Sequence, residues 1–483
     1  MKDIKMEIKK FLIKDKWYES NNIADIINPY TNKITSKVYN ADKEHFNLAI
    51  EESLKAFGET KKLSRYKRSQ ILKNIYELIE KRKNEFIDLI VNEAGKPVTY
   101  AKSEVDRAIA TFKIASEEIL RFGGEFLPLD ITAATEGYNS ITSRFPIGII
   151  AGISPFNFPL NLTAHKVAPA IATGNVIILK PPHQAPSASL LLGEICLEAG
   201  IIPGSLNVLP AMPKEADTLI TDDRIKMISF TGSVKVGWDM KNRSGKKKVC
   251  LELGGNAAVI VDKDTDLEFA VPRIAIGGYS YAGQVCISVQ RIIVHEDIYQ
   301  DFSDKFVAYV KNSIKIGDPK EANTVIGPLI NIEAAERTEK WLTEAVKQGA
   351  KILTGGSRNG KMFEATVLEN VSLDSKINCE EVFAPVTVLS KYNNFKEAVE
   401  MVNNSDYGLQ TGVFTRDIKR IFYAHENIEA GGVIINDYPT FRVDNMPYGG
   451  IKDSGFGREG IKYAMEDMTE LKVTVFNLNN LSI

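Results

Sequence analysis

RFPIGIIAGISPFNFPLNLTAHKVAPAIATGNVIILK, residues 144–180, reads as strand, turn, helix and strand in succession. FPIGIIAGIS is a short apolar run of strand length, and SPFNFP breaks it with two prolines. Asn161 to Thr173 has helical character and stops at Gly174, and VIILK (176–180) is a second strand. The alternation continues with a helix from Pro186 to Ala199 stopped at Gly200, a strand NVLP, a helix near Pro213 to Thr221, and a strand KMISF (226–230). Strands separated by helices of this length predict βαβ crossovers and a parallel, doubly wound sheet.

Beyond KVCLELGG a second alternating stretch begins, with strands expected at Ala258–Val261, Arg291–His295, Val386–Leu389 and Val433–Asn436. This predicts a second α/β domain joined near Leu251 to Gly255. No Pro/Ser-rich linker or low-complexity tract intervenes, so the join is expected to be a packed hinge. Toward the N-terminus, Phe46, Ala49, Ile50, Leu54 and Phe57 share one helical face behind a possible Asp42 N-cap, and the first third reads as helix-rich. The C-terminal LKVTVFNLNN is a β-branched strand that needs a sheet to join, its own or a partner's.

A chain of 483 residues suits about three domains or two large ones. With 44% apolar and 25% charged residues it has material for a real core, which excludes disorder as its main character. Lys and Arg total 60 against 62 acidic residues, so there is no basic footprint and no nucleic-acid partner is expected. The four cysteines, at 196, 250, 286 and 379, are too scattered for a disulfide framework or a Cys-x-x-Cys metal site; no metal and a reducing, cytoplasmic setting are expected. The first sixteen residues interleave charges with apolar residues, unlike a signal peptide. The most apolar stretch, Ile147 to Leu162, is too short and too polar for a membrane span.

The one Gly-x-Gly-x-x-Gly, Gly455, Gly457 and Gly460, follows IKDS rather than opening a βαβ unit, so it reads as a turn that lets backbones approach closely. A better anion site is FTGS (230–233), which ends a strand and leads into a helix, although an ordinary strand-to-helix turn has the same look. Among the thiols, Cys196 and Cys250 fall on apolar faces and Cys379 precedes two glutamates. Cys286, in YAGQVCISVQR, is either an accessible nucleophile or a buried thiol. Glu252, between leucines at a strand end, is either a desolvated base or a carboxylate satisfied by backbone amides. Asn157 either offers an amide to a developing oxyanion or closes a turn. Lys180, at the carboxyl end of a strand, is either a ligand contact or a solvated lysine.

Taken in order, SPFNFP, ILKPP, FTGS, LELGG, GQVC, EEVFAPV and MPYGGIKDSGFGREG resemble the aldehyde dehydrogenase superfamily from about Trp17 to Thr474, nearest to lactaldehyde dehydrogenase-like and non-phosphorylating glyceraldehyde-3-phosphate dehydrogenase-like members. The resemblance implies two doubly wound α/β domains with a small β oligomerisation arm: residues 1–123 and 144–250 for the NAD(P)-binding domain, 251–445 for the catalytic domain, and 124–143 with 463–483 for the arm of a dimer or tetramer. It implies NAD(P)-dependent oxidation of an aldehyde, with Cys286 as nucleophile, Asn157 and the Cys286 N–H holding the oxyanion, and Glu252 activating water against the thioester. Lys180 and His183 would face the adenosine ribose, and Phe230, Gly232 and Ser233 the pyrophosphate. Glu381 and Phe383 would hold the nicotinamide end.

NAD-preferring members often carry a glutamate where this chain has His183. Its absence permits NADP, and a protonated imidazole would attract the 2′-phosphate, a slight lean to NADP. Succinate-semialdehyde members tend to have arginine where His165 stands, so a carboxylate-ended substrate loses an expected partner. Arg107 and Arg442 resemble arginines that act on substrate phosphate, or are ordinary charges; Phe158 and His165 complete the substrate candidates. GQVCIS and FRVDNMPYGG most resemble lactaldehyde dehydrogenase-like members, so a short 2-hydroxyaldehyde such as lactaldehyde or glyceraldehyde is expected. Glyceraldehyde 3-phosphate, succinate semialdehyde and CoA-dependent acylation are the alternatives, with a catalytically silent scaffold least favoured.

Overall fold

The computed structural model describes residues 7–479; the ends of the expected cofactor domain and arm, residues 1–6 and 480–483, lie outside them. The expected βαβ sequence forms an eight-stranded sheet. Five strands, Lys248–Glu252, Ile225–Thr231, Ile149–Ile153, Val176–Lys180 and Leu206–Val208, run parallel in that order. The chain runs outward from Ile149–Ile153 in one direction, then returns to lay Ile225–Thr231 on its other side. This reversal opens a crevice at the carboxyl ends of those two strands, which is where open α/β sheets bind ligands.

The helix Asn161–Thr173 ends at Gly174, whose φ of +79° is a left-handed stop that glycine adopts without strain. Its other end lacks a capping side chain of its own. Glu104 supplies one, its Oε1 accepting the Leu160 and Asn161 N–H groups at 2.9 and 3.2 Å while Oε2 pairs with the fully buried Lys96 at 2.5 Å. Satisfying these two N–H groups at the helix start matters because the preceding turn carries Asn157.

The second sheet has seven strands, in the order Lys351–Thr354, Thr366–Glu369, Val386–Tyr392, Val289–His295, Ala257–Val261, Gln410–Phe414 and Gly432–Ile435, all parallel but the first. Strand Lys248–Glu252 belongs to the first sheet and Ala257–Val261 to the second, so the expected join near Leu251 to Gly255 is a short connection between sheets. A third, antiparallel sheet joins Phe126–Pro128, Tyr138–Pro146 and Thr469–Asn477, the last two in unbroken register from Thr469↔Pro146 to Asn477↔Tyr138. The terminal strand therefore finds its sheet within its own chain.

Two expectations need correction, and one needs an addition. The N-terminal third is helix-rich as expected, with helices Lys43–Thr60, Arg65–Lys81, Lys83–Ala94 and Val98–Arg121, but strands Phe11–Ile13 and Lys16–Tyr18 also extend the first sheet, and Ile8–Lys9, Ile34–Tyr39 and Ile23–Ile27 form a small separate one. Strands of two to six residues are too short to show a period. Asp42 does cap Lys43–Thr60, but Leu54 on its expected face is 45% exposed. Residues 463–467, expected in the arm, lie in helix Ile461–Asp467, which buries Ala464 and Met465; Ile461 and Met465 pack into the core of the first sheet. The arm's second piece starts at Thr469.

Candidate active site

A cavity of about 640 Å³ opens where the two sheets face each other. Its walls include Asn157 and Phe158 from the turn after Ile149–Ile153, Lys180 and His183 after the next strand, and Phe230, Gly232 and Ser233 after Ile225–Thr231. Glu252, Cys286, Glu381, Phe383, Arg107 and Arg442 complete the convergence. Of the sequence-derived candidates, His165 alone does not line it. None of Gly455, Gly457 and Gly460 reaches it either; Gly455–Phe456 pairs with Leu251 and Glu252, and a Cβ on Gly455 would lie 2.3 Å from the Leu251 carbonyl oxygen. That motif is a close backbone approach, as its context implied.

Cys286 sits just before strand Val289–His295, behind Tyr281, Ala282 and Gly283, three successive residues with φ of 51°, 56° and 69°. Two of these are not glycine, a costly conformation held by packing: Tyr281 is buried and its hydroxyl donates to the Ala94 carbonyl at 2.9 Å. The turn presents the Gln284 carbonyl, which accepts a hydrogen from Asn157 Nδ2 at 2.9 Å. An amide nitrogen carries two donors, so this bond orients Asn157 and leaves one donor for a ligand. Among the described residues the Cys286 backbone N–H meets no protein acceptor. Burial pushes the Cys286 thiol up to about 12, with a 3.1 Å hydrogen bond to the Tyr448 hydroxyl acting in the opposite direction.

Glu252 is 3% exposed, and among the described residues neither carboxylate oxygen has a hydrogen-bond partner. The reading as a carboxylate satisfied by backbone amides is therefore set aside. Burial, then the nearby Glu459, raises its pKa well above the ordinary carboxylate range. Such a group is costly to stability and chemically poised.

Gly255 shows how tightly the nucleophile loop is seated. A Cβ there would lie 2.2 Å from the Cys286 carbonyl oxygen. Gly255→Ala is expected to displace Cys286 and lower kcat by about 10²-fold or more, a misplacement effect. Nicotinamide-coenzyme affinity measured by fluorescence titration should change far less than kcat.

The remaining wall suits a dinucleotide. Lys180 is buried, its ammonium reaching only the Pro181 carbonyl at 3.3 Å among the described residues, and burial lowers its pKa to about 8. Ser233 begins helix Val234–Arg243 without using its side chain as a cap, so first-turn N–H groups face the cavity end. Glu381 accepts the Gly255 N–H at 3.0 Å and is pushed to about 7 by burial, leaving its second oxygen for a hydroxyl. A buried cation without an anion, open helix N–H groups and a carboxylate together fit the phosphates and riboses of NAD(P). His183 bears on one expectation: burial, then the Lys180 charge, lowers its pKa, which disfavours the protonated imidazole expected to attract a 2′-phosphate.

At the opposite end, His165 is 2% exposed, with Nε2 2.7 Å from Asp444 Oδ1. It positions Asp444 rather than touching the cavity, because Asp444 also binds Arg107 through two bonds of 2.6 and 3.2 Å. Arg442 binds Glu459 at 3.1 Å and lies 3.6 Å over the Tyr448 ring. Phe158 faces the cavity from beneath Lys96, whose ammonium is 3.6 Å from its centroid. Sequence reasoning missed Asp444, Tyr448 and Glu459. Their signal was present, since all three lie in or beside the quoted FRVDNMPYGG and FGREG segments, but spacing alone does not say which side chains point inward.

Fold and crevice together define a dinucleotide-dependent oxidoreductase. The chain belongs to the aldehyde dehydrogenase family, whose profile matches residues 17–474. It is 41% identical over 470 residues to a lactaldehyde dehydrogenase of Methanocaldococcus jannaschii, covering 96% of this chain and 99% of that protein. It is similar to the crystal structure of aldehyde dehydrogenase 21 of Physcomitrella patens in complex with its reaction product succinate (TM-score 0.97, 44% identity, 99% of this chain and 100% of that one). It is also similar to glyceraldehyde-3-phosphate dehydrogenase GapN of M. jannaschii complexed with NADP (TM-score 0.91, 41% identity, 95% and 100%). The chain is thus an NAD(P)-dependent enzyme oxidising small aldehydes.

Proposed function

We propose that this enzyme oxidises a short 2-hydroxyaldehyde, such as lactaldehyde or glyceraldehyde, to its carboxylic acid through Cys286. The observation that carries the reading is the meeting of Cys286, Asn157 and Glu252 on one cavity wall. Cys286 Sγ attacks the carbonyl carbon to give a thiohemiacetal. Its oxyanion sits between the second Asn157 amide hydrogen and the Cys286 backbone N–H. When bound, NAD(P) would supply the hydride acceptor needed for oxidation of this adduct to a thioester. Glu252 then takes a proton from water, which attacks the thioester carbon and releases the acid and the Cys286 thiol. A carboxylate free of protein partners among the described residues suits water activation better than transfer to CoA.

Asn157→Ala removes one oxyanion donor and is expected to lower kcat by about 10²–10³-fold, roughly 2.7–4 kcal/mol, with KM nearly unchanged. Steady-state kinetics on the preferred aldehyde check this; a fall in affinity alone would assign Asn157 to substrate binding.

A neutral hydroxyaldehyde is favoured because both cavity guanidiniums are already committed, Arg107 to Asp444 and Arg442 to Glu459. An anionic aldehyde, phosphorylated or carboxylate-ended, is the second reading. His165 does not count against it, since that side chain lies behind the wall, whereas Arg107 and Arg442 line the cavity. Either coenzyme is accommodated, with a slight preference for NADP resting on the absence of an acid at position 183 to repel a 2′-phosphate. A matrix of NAD and NADP against lactaldehyde, glyceraldehyde, glyceraldehyde 3-phosphate and succinate semialdehyde, compared as kcat/KM, tests all three points. A preference for either anionic aldehyde would overturn the first reading.

The chain is proposed to work as a homodimer or tetramer. Leu471, Val473 and Val475 stand on one face of the arm, each at least half exposed, and a second copy would cover them. A cytoplasmic location is proposed from the unpaired thiols. No helix among the described residues is long and apolar enough to cross a membrane.

A further inference from the structure

Glu252 has no hydrogen-bond partner among the described residues, yet the nucleophile it serves does have one. The Tyr448 hydroxyl lies 3.1 Å from Cys286 Sγ. Tyr448 is 3% exposed and has little freedom to leave. Its backbone exchanges two hydrogen bonds with Glu459, N–H to carbonyl at 3.1 Å and the reverse at 2.6 Å. Glu459 is anchored in turn by Lys166 at 3.0 Å and Arg442 at 3.1 Å, both deeply buried ion pairs. The Arg442 guanidinium covers one face of the phenol at 3.6 Å, and Val285, Ile287 and Leu409 pack around it. A cation held on the ring face draws electron density from the phenol and makes its O–H a stronger donor.

We propose that Tyr448 is a further catalytic residue: its phenol O–H donates to Cys286 Sγ, aims the sulfur at the substrate carbon, and carries part of the negative charge when the thiol proton departs. The inference rests on Cys286 being the nucleophile. In this step the S–H bond breaks, the proton passes to water in the open cavity and on to bulk solvent, and the electron pair stays on sulfur. The phenol keeps its own proton throughout. Burial, then the adjacent sulfur, raises the Tyr448 phenol well above its ordinary value, so it remains a donor over the whole working range. Burial otherwise opposes ionisation of Cys286, and the Tyr448 bond is the strongest influence favouring the thiolate.

Tyr448→Phe tests this, because it keeps the ring, its contact with Arg442 and its packing while removing one oxygen. In the full-length protein, the rate of iodoacetamide alkylation at Cys286 is followed between pH 6 and 10 by mass spectrometry of the labelled peptide. Below the thiol's pKa this rate tracks the thiolate fraction. The variant is expected to run parallel to the wild type and about tenfold slower at every pH, which corresponds to about one pKa unit. kcat/KM should fall by a similar factor while the melting temperature stays put. A purely structural tyrosine would lower the melting temperature and leave the alkylation profile alone. Tyr448→Leu, which loses ring and oxygen together, should slow alkylation at least as much. An alkylation profile for Tyr448→Phe that superimposes on the wild type overturns the proposal. Aldehyde oxidation that survives Cys286→Ala would instead remove the nucleophile reading beneath it, so the two failures are distinguishable.

Discussion

Cys286→Ala is expected to eliminate aldehyde oxidation, with kcat reduced by about 10⁴-fold or more, while coenzyme still binds. The size follows from losing the atom proposed to form the covalent bond to substrate; removing a nucleophile from such a constellation leaves only the residual effect of its oxyanion donors and binding groups. No other cysteine can substitute. Cys196 and Cys250 are buried in the first core, where desolvation pushes both thiols far up, and Cys379 is exposed beside Glu380 and does not line the cavity. The coenzyme contacts proposed for Lys180, Ser233 and Glu381 do not involve the sulfur. Stopped-flow absorbance of NAD(P)H formation and a coenzyme fluorescence titration check the two halves of this expectation. Cys379→Ala should behave as wild type.

Glu252→Gln is expected to convert the enzyme into one that turns over once and then stalls. The side chain keeps its volume but cannot take a proton from water. A burst of about one NAD(P)H per active site should precede a steady state slower by about 10²–10⁴-fold, the usual weight of a general base. Burst kinetics distinguish this from slow thiol activation, which would abolish the burst as well. The pH dependence carries a definite sign. Glu252 is raised well above the ordinary carboxylate range, so its basic form appears at higher pH than an ordinary carboxylate's and grows as pH rises. Wild-type kcat should climb with pH through that displaced titration, and the variant should lose that climb. The same displacement makes a stability statement: a carboxyl with a raised folded-state pKa favours the fold when protonated, and that contribution is lost as pH rises through the folded value. The variant should therefore melt at a higher temperature than wild type at pH 9, measured by differential scanning calorimetry.

Much of this was legible before any coordinates. Helix Asn161–Thr173 and strand Val176–Lys180 fall where periodicity and the Gly174 stop placed them, because their apolar pattern and their termination chemistry agree. Cys286, Glu252, Asn157, Lys180 and Glu381 line a single cavity because Asn157, Lys180 and Glu252 stand at or just beyond strand ends of the first sheet, while Cys286 and Glu381 stand in loops leading into strands of the second. The short strands before Lys43 were not legible, since a two- or three-residue strand is defined by its hydrogen-bond partners and not by its own residues. His165 was legible as a residue near the site but not as one facing away from it.

Sequence by itself determined the alternation of elements, the two sheets, the join at Leu251 to Gly255 and which side chains bring chemistry, because local propensity and strand-end position are properties of short segments. Only the tertiary structure decided which of those groups are charged or paired. Among the described residues it left Glu252 without a hydrogen-bond partner, lowered the His183 pKa, gave Arg107 to Asp444 and Arg442 to Glu459, and placed the Tyr448 hydroxyl against the sulfur. Desolvation and pairing depend on groups brought together from up to 337 residues apart, as Arg107 and Asp444 are. No local pattern in the chain encodes that meeting.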